Sequence, residues 1–298
     1  MNGILNAGIG FVGAGKVGVT LGSYFVSKGL KVKGYASANP KSADAAAVTT
    51  GTQAFPCIRS LVAECGIIFI TTPDDQIEKV WNEIKKLDVK GRIIGHTSGA
   101  KASDLFTGIS SRGASGYSIH PMHAFADRNG KFDGLETAWF TIEGDGARLD
   151  QVRNLLTALG NSVLVIDSKN KTRYHLANVM VSNLVLAMLN IGCNLMTACG
   201  IDEESALKSL MPLIMNNIEN ISEKGFLPSL TGPIERNDLG TVLKHREVLN
   251  GEHREIYREL SLELIKLAVK KHPERDYAEL TRFLESHSPW QPLGHLKE

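Results

Sequence analysis

The stretch Gly13-Ala14-Gly15-Lys16-Val17-Gly18 constrains this chain more than any other. It follows a short apolar run, Ile9–Val12, and opens an amphipathic segment. That spacing predicts a strand, a tight glycine turn and a helix. In such a unit Gly13 permits the turn, Gly15 lets the backbone approach a pyrophosphate, and Gly18 lets helix and strand pack closely. Free N–H groups and the positive dipole end of the helix then attract phosphate. The six residues Gly13, Ala14, Gly15, Lys16, Val17 and Gly18 are therefore candidates for holding a dinucleotide. A P-loop is excluded. Gly10 to Lys16 matches GxxxxGK, but Val17 stands where Ser or Thr would hold magnesium, and Gly10 falls inside the strand.

The first 167 residues repeat the strand-then-helix rhythm, which predicts a parallel sheet wound with helices. Expected strands are Ile9–Val12, Lys31–Tyr35, Gly66–Thr71, Arg92–His96, Gly113–Ser118, Thr137–Ile142 and Ser162–Ile166. Helices are expected at Lys16–Lys28, Gln76–Lys86 and Arg148–Leu159. After Asp167 the apolar spacing turns helical nearly to the end, with Ser168 as an expected cap. Ile256, Leu260, Leu264 and Leu267 make one stripe, and Tyr277, Leu280 and Leu284 another. The expected architecture is an α/β Rossmann-type doubly wound sheet over residues 1–167, then an all-α domain over residues 168–298.

Charge narrows the partners. Lys and Arg number 33 against 32 Asp and Glu, and the balance holds on both sides of residue 167. Neither part has the basic excess of a nucleic-acid or membrane-surface protein. Four cysteines, Cys57, Cys65, Cys193 and Cys199, show neither CxxC nor metal spacing, which points to reduced thiols in a cytoplasm. The opening MNGILNAG lacks the basic start and cleavage site of a signal peptide. From Leu176 to Ile201 no residue is charged, a length able to span a bilayer. Asn183, Asn190 and Asn194 would form a polar stripe along it, which fits a buried or dimer-interface helix better.

Which dinucleotide is expected follows from the second strand. An NAD site commonly has an acid about 20 residues beyond the glycines, on the ribose 2′-OH. Here Ala36-Ser37-Ala38-Asn39-Pro40-Lys41 holds none, and Ser37 and Lys41 are candidates for a 2′-phosphate, favouring NADP over NAD. A bland alternative is that Ser37 and Asn39 shape a turn and Lys41 is solvated. Thr72-Pro73 and Ser98 follow later strands at the edge where ligands bind in such sheets. Thr72, Pro73 and Ser98 are thus further cofactor candidates, or simply turns and caps.

The glycine motif, Thr72-Pro73-Asp74, Ser98-Gly99, Ser118-Ile119-His120-Pro121-Met122, Tyr174-His175-Leu176-Ala177-Asn178 and Thr231-Gly232-Pro233-Ile234-Glu235-Arg236-Asn237-Asp238 together resemble one family. It is that of bacterial Rossmann-like proteins with a helical C-terminal domain of unknown function. They are relatives of pyrroline-5-carboxylate reductase, the deazaflavin-dependent NADP oxidoreductases and the 6-phosphogluconate dehydrogenase superfamily. The resemblance implies the fold, a dinucleotide and a homodimer through the helical domain. Two departures stand out. Relatives often follow the second strand with Ser-Arg, and here Ala38 follows Ser37. β-Hydroxyacid dehydrogenases of the superfamily use a lysine followed by an asparagine on the first long helix. Here Lys171, His175, Asn178 and Ser182 share one helical face.

Hydride transfer needs from the protein mainly orientation and a proton donor or acceptor. His175 is the first candidate, since histidine titrates near neutrality. Asn178 is a candidate to hydrogen-bond the substrate, Ser182 another substrate contact, and His120 and Lys171 alternative proton-transfer groups. Arg236 is a candidate clamp for a carboxylate or phosphate. Each has a bland alternative: interdomain hydrogen bonds for His175, loop structure for His120, a bridge to Asp238 for Arg236. His120 and His123 lack a carboxylate that would complete a metal site. The leading expectation is an NADP(H)-dependent oxidoreductase acting on a small carbonyl, imine or hydroxy compound held between the domains. The alternative is a non-catalytic NADP(H)-binding sensor or scaffold.

Overall fold

The computed structural model describes residues 8–125 and 130–286. The first seven residues, on which the signal-peptide argument rests, lie outside them. Two compact units emerge, residues 1–183 and residues 184–298.

The first unit is built on an eight-stranded sheet. β1 (Ile9–Val12), β2 (Val32–Ala36), β3 (Gln53–Ala54), β4 (Ile67–Ile70), β5 (Ile93–His96), β6 (Ser115–Pro121), β7 (Phe140–Gly144) and β8 (Val163–Val165) lie in the order 3-2-1-4-5-6-7-8. All neighbours run parallel except β6 and β7. The two-residue β3 is too short to leave a periodic signal, and it is the strand that the sequence expectation lacks. Between them run α1 (Lys16–Ser27), α2 (Pro40–Thr50), α3 (Ile58–Glu64), α4 (Asp74–Ile84) and α5 (Leu149–Ala158). Asn39 caps α2 by accepting from Lys41 N, with Pro40 at the first helical position.

Side chains alternate across the sheet and feed a core on each face. Ile67 and Phe69 of β4 join Phe11, Phe25 and Tyr35 on one side. Ile68 and Ile70 join Trp81 and Phe106 on the other. On the first face Phe11 stacks on Tyr35 and Phe69, with ring centroids 5.3 and 5.5 Å away. The strand order reverses at β1 and β4, so their C-terminal ends open a crevice beside the glycine loop, the place where doubly wound sheets bind ligands.

The unit boundary differs from the expected break after residue 167. α6 (Lys171–Val181) belongs with the sheet, because Lys171 Nζ donates to Ser118 Oγ of β6 at 2.6 Å and Tyr174 meets His120. Asp167, not Ser168, caps the turn that leads into α6, accepting from Lys169 N. Ser182 leaves helical geometry and separates α6 from α7 (Asn183–Ala198). Its hydroxyl donates to the Asn178 carbonyl, a back-bond that loosens helices. Among the described residues, Ser168–Ala198 is one helical stretch long and apolar enough to cross a membrane.

The second unit continues with α8 (Glu203–Lys224), α9 (Phe226–Ser229), α10 (Leu239–Val248), α11 (Gly251–Lys271) and α12 (Ala278–Glu285). Leu230, Ile234, Val242, Ile265, Tyr277, Leu280 and Leu284 form its core, with α12 contributing the expected stripe. The stripe expected on α11 differs. Ile256, Leu260 and Leu264 are exposed, and α11 buries Ser261, Ile265 and Ala268 instead. α7 buries only Cys193 and α8 only Ala206, although both helices are rich in Leu, Met and Ile.

Gly34 gives a direct test of the sheet edge. Its φ of +145° suits glycine, and a Cβ there would lie 1.7 Å from Gln53 O of β3. Gly34→Ala is expected to destabilise the first unit by more than about 2 kcal/mol, seen as a lower thermal midpoint. Gly146→Ala, where a Cβ meets nothing within 4 Å, is the control and is expected to stay within about 0.5 kcal/mol.

Candidate functional site

The glycine loop is pinned to the end of β4. Thr71 Oγ1 donates to Gly13 O at 2.8 Å. A Cβ on Gly13 would stand 2.8 Å from the Thr71 carbonyl carbon, and one on Gly18 would stand 2.6 Å from both Gly13 O and Thr71 Oγ1. Gly15 is different. A Cβ there would find its nearest neighbour 4.0 Å away, so Gly15 faces open space. No side chain caps α1 at Gly15, which leaves first-turn N–H groups free to meet an anion.

That space is a cavity of about 1050 Å³ within the first unit. Gly13, Ala14, Gly15, Lys16 and Val17 line it at one end, while Gly18 packs beneath. Ser37 also lines it, together with Ala38, Asn39 and Ser42. Lys41 does not; it faces a smaller neighbouring pocket beside Ser42, Ala45 and Thr49. Ser37 Oγ accepts from Asn39 N at 3.3 Å, as a turn former does. Thr72, Pro73, Asp74, Ser98, Gly99 and His175 also line it, Thr72 directly beside the glycine loop.

Two polar atoms of these lining residues have no partner: Thr72 Oγ1 and His175 Nδ1 are both buried and unbonded. Such atoms are uncommon in a folded interior and call for a partner that the described fold does not supply, a bound molecule or water. The Ser98 hydroxyl is in the opposite state. It donates to Asp74 Oδ2 at 2.7 Å and accepts from Ala100 N at 3.1 Å and Lys101 N at 2.9 Å. Its hydrogen-bonding capacity is used. Ser98 builds the turn rather than offering a free hydroxyl.

Beneath this turn lies a buried polar chain. Lys171, 2% exposed, donates to Ser118 Oγ, which donates to Ser98 O at 3.3 Å. Burial holds the Lys171 ammonium down at about 8, with Glu143 and Asp74 opposing the shift. Glu143 is itself buried and accepts from Ser103 N and Oγ. Burial raises its carboxyl above the ordinary value, against the Ser103 hydrogen bonds. Lys171 is therefore not on the cavity wall; it acts on Ser98 through Ser118.

Three histidines surround the turn. His96 accepts from Ser98 N at Nδ1, so Nε2 carries the proton and donates to Ala102 O. Burial pushes His96 down to about 3. His120 Nδ1 lies 2.6 Å from Tyr174 Oη, and burial, with the Lys171 and His175 charges, lowers it to about 4. His120 and His175 converge on Gly99. A Cβ there would lie 2.8 Å from His175 Nδ1 and 2.9 Å from His120 Nε2. Asn178 Nδ2 donates to the Tyr174 carbonyl one turn back on α6, and Ser182 is exposed at the helix end.

Arg236 lies in the second unit, exposed on the loop before α10. That loop is braced behind it. Glu235 Oε1 meets His272 Nε2 at 2.5 Å, and Glu235 O accepts from Arg275 and Tyr277. Asp238 bonds Thr241 at both N and Oγ1. Among the described residues no group of three or more His, Cys, Asp or Glu side chains is placed to hold a metal ion.

Comparison with known proteins accords with this layout. Residues 4–121 match the model of a Rossmann-like domain, and residues 138–264 that of a domain of unknown function (DUF2520). No curated protein matches the chain in sequence. Among solved structures, protein TM1727 from Thermotoga maritima is 25% identical, with a TM-score of 0.71 over 89% of this chain and 99% of its own. The pyrroline carboxylate reductase of Plasmodium falciparum with NADP bound is 12% identical, TM-score 0.58, over 90% and 98%. A reductive aminase from Aspergillus terreus in complex with NADPH and ethyl-5-oxohexanoate is 16% identical, TM-score 0.59, over 94% and 93%.

The lowered histidines make stability pH-dependent in one direction. Unfolded, His96 and His120 titrate near 6.5; folded, near 3 and 4. As pH falls below 6.5 the unfolded chain binds the protons first, so stability is lost between about 6.5 and 3. Urea unfolding at pH 7 and 4.5 is expected to show this loss, and His120→Gln is expected to lose less over the same interval.

Proposed function

We propose that this chain, a Rossmann-like domain joined to a DUF2520 domain, is an NADP(H)-dependent oxidoreductase of a small carbonyl, imine or hydroxy compound. The observation that carries the reading is the buried, unbonded Thr72 Oγ1, together with the His175 ring, on the wall of the cavity that the glycine loop opens. The loop fits the dinucleotide. Gly15 leaves the space that a pyrophosphate needs, and the uncapped first turn of α1 faces it with Lys16 on the wall. NADP is favoured because Ser37, Asn39 and Ser42 line the cavity beyond β2 and no acid follows that strand. The reductases bound to NADP and NADPH that share the fold support the same class.

When bound, the nicotinamide would supply or accept the hydride. What this chain does is bind, orient and handle the proton. Thr72 Oγ1 is free to hold an amide or a substrate heteroatom. His175 presents its ring to the same cavity, which Asp74 and Ser98, bonded to each other, also line. Arg236 remains a proposed clamp for an anionic substrate group. The site residues other than Arg236 fall within the first unit.

We further propose a homodimer through the helical unit, in the cytoplasm. Leu186, Leu213, Met215 and Ile218 are more than half exposed on α7 and α8, an apolar surface that a second copy would cover. The four thiols are free, as in a reducing compartment.

Calorimetric titration is expected to give micromolar binding of NADPH and at least tenfold weaker binding of NADH; absence of both would sink the reading. Gly15→Ala separates site from fold. With room for a methyl, its thermal midpoint should stay at the wild-type value, while NADPH affinity falls by at least about tenfold as the backbone is held off the pyrophosphate. Light scattering after size exclusion is expected to give twice 32.4 kDa; a monomeric mass would remove the dimer.

A further inference from the structure

His120 cannot serve alone as an acid at neutral pH. Its buried ring is neutral there, since it takes an extra proton only near 4. A neutral imidazole gives up its N–H readily only if its other nitrogen is refilled in the same step. The Tyr174 hydroxyl is 2.6 Å from that other nitrogen, Nδ1. That separation is short enough for the phenol to donate to Nδ1, the direction that a transfer toward His120 needs. Burial raises the Tyr174 phenol above its ordinary value, so it stays loaded with its proton. With Nδ1 accepting, His120 Nε2 carries the hydrogen, and it points toward Gly99.

Across Gly99 stands the unbonded His175 Nδ1. Both nitrogens lie within 2.8 and 2.9 Å of a single point, so the gap between them is no wider than their sum. One water, making two hydrogen bonds of about 2.9 Å, spans such a gap. His175 in turn lines the cavity, and the Lys171 ammonium lies 5.3 Å from the Tyr174 ring centroid.

Resting on the oxidoreductase reading above, we propose that Tyr174, His120 and His175 form a proton wire that ends in the cavity, with Tyr174 and His120 as positioning residues that refill His175. As a carbonyl or imine is reduced by the dinucleotide, its oxygen or nitrogen forms a bond to the His175 Nε2 hydrogen, and that N–H bond breaks. His175 Nδ1 gains the hydrogen from His120 Nε2, directly or by exchange through the water. His120 Nδ1 gains the hydrogen of the Tyr174 hydroxyl. Each imidazole stays neutral, and one negative charge is left on the phenol beside the buried ammonium until solvent returns the proton. The reduced nicotinamide supplies both electrons. The reverse reaction runs the same transfers backward.

The test needs no substrate. Long-range proton–nitrogen correlation spectra of the full-length, nitrogen-15-labelled protein, with and without NADP⁺, report which nitrogen of each ring is protonated between pH 6 and 8. The wire requires the Nε2–H form for both His120 and His175. An Nδ1–H signal on either ring would overturn it, because the chain of donors would then be broken. In Tyr174→Phe, His120 loses the donor that fixes its form, and its two nitrogen shifts are expected to move toward each other as the forms mix. Unchanged shifts in a folded variant also overturn the proposal. Should the variant not fold, the wild-type spectra decide. Calorimetry on the same samples keeps the two readings apart. Failure to bind NADPH removes the oxidoreductase reading while the ring assignments stand, and normal binding with the wrong ring form removes the wire alone.

Discussion

The site depends on the contact between the glycine loop and the end of β4. Thr71 is close enough to Gly13 and Gly18 that no side chain fits at either position, and its hydroxyl locks onto Gly13 O. The contact sits where β1 and β4 pair side by side, at the point where the sheet reverses its winding. The direction of α1, the open face at Gly15 and the placement of Thr72 at the cavity wall all follow from it.

A second constraint works from below. Lys171 is a buried cation at the start of a helix, where burial and the helix dipole both oppose positive charge. It is tolerated because Ser118 accepts from it and Glu143 and Asp74 are near enough to bear on its charge. Replacing the pair of Lys171 and Glu143 with hydrocarbon would fill the same volume. What it would lose is the tie from α6 to β6 and on to the Ser98 carbonyl. The bridge thus fixes the tilt of α6, and with it where Tyr174 and His175 stand relative to the turn at Gly99.

Much of the fold was legible in the chain. Strand-forming runs such as Ile67–Ile70, buried on both faces, read as continuous apolar stretches, and the glycine spacing located the cavity. The two-residue β3 was not legible, because pairing with β2 needs only backbone atoms. The face of α11 was misjudged for a related reason: a stripe of Ile and Leu reads as core, yet Ser261 and Ala268 are the residues small enough to pack. Of the site, His175 and Thr72 fall on the wall by position relative to strands and helices. Lys41 and Lys171 have the right chemistry for their expected roles, but their side chains point elsewhere, and no spacing rule encodes direction. Tyr174 and Ser118 lie inside the Tyr174–Asn178 and Ser118–Met122 segments that carry the family resemblance. Their parts come from contacts across 54 and 53 positions of chain, which only the fold brings together.

The break at Ser182 bears on the order in which this protein is made. With α6 held by the sheet, the glycine loop, the three histidines and Tyr174 are all encoded before residue 184. Ribosomes add on the order of 5–20 residues per second, and domains generally fold as units during synthesis. The remaining 115 residues, from Leu184 to Glu298, therefore take roughly 6–23 s to appear. Early in that interval a nascent chain can carry the finished cavity while the apolar α7 and α8 are still inside the tunnel or just leaving it. Any ligand bound in the cavity then would favour the folded first unit by mass action before the apolar helices emerge. The chain thus meets its greatest aggregation hazard with about three-fifths of its length already secured.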